Sequence, residues 1–236
     1  MRGGFSFYPE AGAMGEARTL PELEGQSRVF EDRADAGRVL ARWLAPAWKR
    51  AAGGIVLAVP AGGVPVGLEL ARGLELPLDL IFVRKLHYPD NPEAGFGALG
   101  EGGELLVDPE AAAVLGPQAV ARVVEHERKD LARRVRRLRG DRPPPDLEGR
   151  AVLVVDDGLA SGSTMLVAVR EARARGAERV EVAVPTASRD AARRVAAAAD
   201  RVWVANLRPG PPFAVADAYR RWRDLSLDEV AALLRG

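Results

Sequence analysis

The amino-acid sequence predicts an α/β chain with a mainly parallel sheet flanked by helices. Three observations lead there. Short apolar runs at residues 55–59, 78–83, 152–155, 180–184 and 201–205 are nearly continuous, the pattern of strands buried on both faces. Segments with apolar residues at helical spacing lie between these runs, so the connections are crossovers between parallel neighbours. Of 236 residues, 47 % are hydrophobic and 28 % charged, enough apolar side chain to cover both faces of one sheet, so a single domain is expected.

Residues 1–28 carry Gly, Pro and Glu without periodicity and read as an irregular lead-in, with a short strand at 5–8. Asp32 is placed to cap a helix with Ala36, Val39, Leu40, Trp43 and Leu44 on one face, ending near Gly53 and Gly54. The run 55–59 leads through Pro60-Ala61-Gly62-Gly63 into a helix over 64–72. After the strand at 78–83 comes a loop from 86 to 103 holding Pro89, Pro92 and five glycines, and so long a connection is usually functional. Leu105-Leu106-Val107 reads as a short strand or hairpin arm in that excursion, and 118–139 as a long basic amphipathic helix. Pro143-Pro144-Pro145 forces an extended linker. Beyond the strand at 152–155, helices are expected from Ser163 or Thr164 to 175, over 188–199 capped by Ser188, and after Ser226, where Glu229 completes a capping box.

Several function classes are excluded on composition. No cysteine means no disulfide, thiolate nucleophile or cysteine metal site, and fits a reducing cytoplasm. Two histidines, His87 and His126, are too few for a zinc site of ordinary ligand count. No apolar segment approaches the roughly 18 residues of a membrane span, and 1–10 has no signal-peptide core, so the expectation is a cytoplasmic protein without a membrane partner. A net charge of +1 gives no field of the kind that dominates nucleic-acid binding. The arginine run at 133–139 is expected to be a solvated helix face. Only Lys49, Lys85 and Lys129 among 34 basic residues are lysine, so a lysine in a suspected site is not background.

Chemistry concentrates in Val152-Leu153-Val154-Val155-Asp156-Asp157-Gly158-Leu159-Ala160-Ser161-Gly162-Ser163-Thr164. A buried strand delivers two adjacent acids, then a small-residue loop, then a helix start, at the sheet edge where α/β proteins bind ligands. Loop amides can curl round an oxyanion at the positive end of the helix, with Ser161, Ser163 and Thr164 adding hydroxyl donors. Carboxylates repel phosphate, so acids beside a phosphate cup suit a ligand that is phosphate at one end and hydroxyl-bearing at the next. A ribose 5-phosphate meets both requirements. No Gly-x-Ser-x-Gly elbow and no Gly-Lys-Ser/Thr Walker loop occurs there.

This segment resembles the signature of type I phosphoribosyltransferases. The resemblance implies that Asp156 and Asp157 hold the ribose 2- and 3-hydroxyls while Gly158, Ala160, Ser161, Gly162, Ser163 and Thr164 form the 5-phosphate loop. Ala61, Gly62 and Gly63 are similar to the family's pyrophosphate loop, a strained small-residue turn, and Arg84-Lys85 resembles the basic pair before a mobile loop that closes over the site. The family fold then implies a core over about 31–205 with a hood from 1–30 and 206–236. The implied activity is transfer of a 5-phosphoribosyl group from phosphoribosyl pyrophosphate to a nitrogenous base, with release of pyrophosphate. Mg²⁺ is the implied cofactor, held mainly through substrate beside Asp156 and Asp157, and a homodimer is an open assembly. Catalytic roles fall on Lys85, Arg84, Asp156 and Asp157, while His87 could assist the leaving group or be a solvated loop residue. Purine-specific members often carry a third acid where this chain has Ala160, so transfer to a 6-oxopurine by that route is not expected. Trp203, Phe213, Tyr219 and Trp222 are all candidates to stack on the acceptor.

Two other readings stand beside this one. A non-catalytic regulator would keep the cup as a sensor for phosphoribosyl pyrophosphate and grip nucleic acid with the helix at 118–139. A phosphatase or nucleotide-processing enzyme on a similar sheet would need Asp156 as a nucleophile rather than a sugar ligand.

Overall fold

The computed structural model describes residues 16–210 and 212–235. In chain order the regular elements begin β1 (Glu16–Thr19), α1 (Arg33–Trp48), β2 (Ile55–Ala58), α2 (Gly63–Leu74), β3 (Leu78–Leu80), β4 (Val83–Tyr88), β5 (Asn91–Gly100) and β6 (Leu105–Val107). They continue with α3 (Pro109–Leu115), α4 (Pro117–Arg139), β7 (Ala151–Val155), α5 (Ser163–Ala174), β8 (Arg179–Ser188), α6 (Arg189–Ala196), β9 (Arg201–Arg208) and α7 (Leu227–Leu233).

Six strands form one wholly parallel sheet in the order β1-β9-β8-β7-β2-β3. Alternation along each strand divides the core in two. Val56, Ala58, Leu153 and Val155 face α1 and α2, whereas Leu57, Val152, Val154, Val182 and Val204 face α5 and α6. Both sets are buried, which is why the strands read as unbroken apolar runs. The three caps expected from sequence form: Asp32 accepts from the Asp35 amide, Ser188 from the Ala191 amide, and Ser226 and Glu229 close their capping box.

The segment 86–103 differs from its expectation. Instead of a structureless lid, β4 and β5 form an antiparallel hairpin that β6 extends into a second, three-stranded sheet. Its glycines serve close approach rather than freedom: a Cβ on Gly97 would lie 2.2 Å from the Leu106 carbonyl oxygen, and one on Gly95 2.4 Å from the Lys85 side chain. Leu86, Phe96 and Leu99 are buried beneath α4, and Tyr88 meets Phe96 edge-on at 5.2 Å.

Smaller differences follow from local chemistry. The run 78–83 splits, since β3 stops at Leu80 and Val83 opens the second sheet after a buried link through Ile81 and Phe82. Helix α1 ends at Trp48, before the two glycines, and α6 at Ala196, before residue 199. Helix α3, capped by Asp108, and strand β1, which pairs with β9, had no periodicity to announce them. The strand expected at 5–8 lies outside the described residues.

Candidate active site

Strand β7 ends at Val155 and delivers Asp156 and Asp157 to the carboxyl edge of the sheet. Asp156 Oδ1 accepts the Asp157 amide at 2.8 Å, and Asp157 Oδ2 accepts from Arg33 Nε at 2.8 Å. Burial pushes the Asp156 carboxyl well above the usual carboxylate range, and the neighbouring Asp157 pushes it further. Asp157 is also raised by burial, against the pull of Arg33. Neither acid is sealed into the core: both are partly exposed, and Asp157 retains 15 % side-chain exposure. Two acids ionised with difficulty, side by side, favour hydrogen-bond donors or a cation as their ligand.

The loop that follows turns through Gly162, whose φ of 81° lies in the left-handed region, and enters α5 at Ser163. Ser188 Oγ donates to the Ala160 carbonyl at 2.9 Å, and Arg194 donates to the Ser161 carbonyl through Nε at 3.1 Å and Nη2 at 2.8 Å. In a trans peptide the carbonyl and the next N–H point in opposite directions. Holding these two carbonyls outward therefore aims the Ser161 and Gly162 amides into the loop. Among the described residues, the N–H groups of Ala160, Ser161, Gly162, Thr164 and Met165 donate to no protein acceptor, and the Ser163 amide makes only a 3.3 Å contact to Ser161 Oγ. Amides turned inward, the positive end of a 12-residue helix and the Ser161–Ser163 hydroxyl pair at 2.9 Å make an oxyanion cup.

The turn at 60–63 packs directly on the acids and contains a cis Pro60–Ala61 peptide bond. A Cβ on Gly62 would lie 1.9 Å from Asp157 Oδ2, and one on Gly63 2.7 Å from the Val155 carbonyl and 3.0 Å from Asp156 Cα. The Gly63 amide is committed to the Val59 carbonyl at 3.0 Å, while those of Ala61 and Gly62 donate to no acceptor among the described residues. Gly158 plays a different part: its bare Cα lets Val215 of the C-terminal segment close over the site.

Strand alternation separates Arg84 from Lys85. Arg84 pairs with Leu99 on the face beneath α4, where its guanidinium binds Glu127 (3.0 and 2.9 Å) and Asp130 (3.1 Å). Lys85 pairs with Ala98 on the opposite face, which packs against α5. Its ammonium has no ion pair among the described residues. His87 joins the Arg84 network, with Nδ1 3.0 Å from Glu127 Oε1, and His126 lines the neighbouring cleft between α4 and the hairpin tip.

The aromatic candidates also separate. Trp203 lies in the core, where its Nε1 and that of Trp48 donate to buried Glu181 (2.7 and 2.8 Å), which removes it from the acceptor candidates. Tyr219 donates its hydroxyl to the Asp157 carbonyl at 2.6 Å. Trp222 stacks on the Arg33 guanidinium, 3.8 Å from ring centre to Cζ, and meets Tyr219 at 5.1 Å. Phe213 is half-buried. Sequence reasoning missed Arg33, Ser188 as a loop anchor, and Arg194. Only the Asp32 cap could have pointed to Arg33, because it places the start of α1, which runs antiparallel to β2, at the ligand-binding edge.

The basic face of α4 is largely neutralised by its own neighbours. Arg128 and Lys129 meet Glu125, Arg133 and Arg134 meet Asp130, Arg137 meets Asp228, and Arg139 is buried against Glu101. No helix among the described residues is long and apolar enough to cross a membrane.

Comparison with known proteins gives the family. The phosphoribosyl transferase domain model matches residues 31–206. Two Mycobacterium tuberculosis proteins with provisional phosphoribosyl transferase names, from strains CDC 1551 and H37Rv, are each 43 % identical over 211 residues, 88 % of this chain. The chain spans 46 % of the length of these relatives. The crystal structure of TT1426 from Thermus thermophilus is 40 % identical, with a TM-score of 0.70, and the match covers 87 % of this chain and 97 % of that one. With two acids, an open amide cup and the sheet order in place, the chain belongs to the phosphoribosyl transferase family.

Proposed function

We propose that this chain is an Mg²⁺-dependent transferase that moves a 5-phosphoribosyl group from phosphoribosyl pyrophosphate to a nitrogenous acceptor, releasing pyrophosphate. The observation that carries the reading is the row of uncommitted amides at 160–162 and 164–165, one loop away from Asp156 and Asp157. The amides and α5 take the 5-phosphate, and the two acids accept the ribose 2- and 3-hydroxyls. The ammonium of Lys85 and the Ala61 and Gly62 amides face the charge that collects on departing pyrophosphate. As the bond from C1 to the leaving oxygen breaks, the carboxylates steady the cationic ribosyl centre until the acceptor nitrogen closes on it and releases its proton to solvent.

Among the described residues no group of three or more acids or histidines is placed to hold a metal ion. The hard oxygens of Asp156 and Asp157 nevertheless fit Mg²⁺ shared with substrate oxygens. Bound in that way, the ion would neutralise charge on the leaving group.

In this reading the hood is residues 20–30 with 209, 210 and 212–235, because β1 and the end of β9 belong to the six-stranded sheet and not to the hood expected at 1–30 and 206–236. The Arg28 and Phe30 amides donate to the Asp217 and Ala218 carbonyls at 2.7 and 3.0 Å, tying the two segments together beside the acids. Calorimetry with phosphoribosyl pyrophosphate and Mg²⁺, followed by a screen of bases for pyrophosphate release, tests the proposal. Base-dependent release, lost in the Asp156→Asn, Asp157→Asn double variant with the fold retained, is the expected result. Unchanged turnover in that variant would overturn it, and binding without release for any base would favour the sensor.

A further inference from the structure

Arg33 is the first residue of α1 and lies 124 positions from Asp157 in sequence, yet it is almost wholly buried against that acid. Three contacts fix it at once. Nε donates to Asp157 Oδ2 at 2.8 Å, Nη1 donates to the Arg223 carbonyl at 2.8 Å, and the Trp222 ring covers the guanidinium plane at 3.8 Å. Only a planar fork satisfies all three, since an ammonium can neither stack by its face nor hold two acceptors in fixed directions.

Asp157 Oδ2 is closed on its other side by Gly62. With one oxygen enclosed between Arg33 and Gly62, the carboxylate plane is set, and Oδ1 is the oxygen left for a ligand. We infer that Arg33 is a positioning residue that orients Asp157 for the ribose hydroxyls and ties the C-terminal segment carrying Trp222 to the ribose subsite. This inference rests on the proposed ribose-phosphate site, and it adds a link that the site itself does not require. A movement of Asp157 toward a ribose hydroxyl is passed to Arg33 and so to the stacked indole. The acceptor side thereby reads whether the sugar is in place.

The test uses the full chain labelled with 5-fluorotryptophan, in which the Trp222 resonance, one of four, is assigned by its loss in Trp222→Phe and followed during titration with ribose 5-phosphate. The Trp222 resonance is expected to shift on binding. Arg33→Met should weaken binding by about tenfold or more, the scale of a hydrogen bond to a charged group. Arg33→Lys should fail to restore it. In an Asp157→Asn background the same change at Arg33 should add no further loss, because its effect runs through that acid. A merely structural role would lower the melting temperature and leave this coupling at zero.

Unchanged affinity in Arg33→Met, or a full additive loss in the Asp157→Asn background, overturns the inference. Should Arg33→Met not fold, Arg33→Lys carries the same cycle. Should the wild-type chain bind neither ribose 5-phosphate nor phosphoribosyl pyrophosphate, the ribose-phosphate site fails separately. The link is then still read without ligand, because Asp157→Asn alone must move the Trp222 resonance, and a fixed resonance refutes it.

Discussion

Replacing Gly62 with alanine tests how the turn at 60–63 meets Asp157. The added Cβ would lie 1.9 Å from Asp157 Oδ2 and 2.5 Å from its Cγ, whereas ordinary contact begins at 3.4 Å. The carboxylate must retreat by the difference, about 1.5 Å, or the turn at 60–63 must lift by as much. Oδ2 cannot retreat toward Arg33 Nε, already 2.8 Å away, so the carboxylate must rotate out of its place and the hydrogen bond to Arg33 is lost. A lost hydrogen bond to a charged group costs about 1.5–3 kcal/mol, or roughly ten- to a hundredfold in affinity. Titration calorimetry with phosphoribosyl pyrophosphate and Mg²⁺ reads this directly. Gly73→Ala is the control, because its Cβ would meet only Ala41 between α1 and α2, 2.6 Å away, and should lower stability while sparing affinity. Wild-type affinity in Gly62→Ala would refute the contact between turn and acid.

Separation of the basic pair gives opposite expectations for its two members. Lys85→Met should reduce turnover strongly with little change in melting temperature, whereas Arg84→Met strips the main partner from buried Glu127 and should cost about 1–3 kcal/mol in denaturant unfolding. Glu171 is raised above its ordinary 4.5 by burial, with one oxygen held by the Gly102 amide and the other without a partner among the described residues. A carboxyl whose folded value is raised favours folding while protonated, so its contribution is full below 4.5 and is lost as pH climbs through the folded value. Glu171→Gln should therefore gain stability relative to the wild type as pH rises from 4.5 toward neutrality, measured by thermal unfolding across that range.

What the sequence revealed and what it hid follow from the distance over which each signal acts. The stretch from Val152 to Thr164 was legible because strand, acids, cup and helix start are consecutive, so each neighbour constrains the next. The hairpin β4–β5 was hidden because Gly95 and Gly97 look like loop glycines until Lys85 and Leu106 are found pressed against them. Arg84 and Lys85 are a basic pair by resemblance, and because adjacent residues on a strand face opposite ways, the assembled sheet sends their side chains to different neighbours. Arg33, Arg194 and Trp222 reach the site from elements far apart in sequence, and only the assembled fold brings their contacts together.

Amide chemical shifts during titration with ribose 5-phosphate test the phosphate cup most directly. The largest changes should fall on Ser161, Gly162 and Thr164, the groups turned inward by the Ser188 and Arg194 anchors or left open at the first turn of α5. Binding that leaves these three amides unmoved, with the changes clustered elsewhere on the molecule, would contradict the assignment.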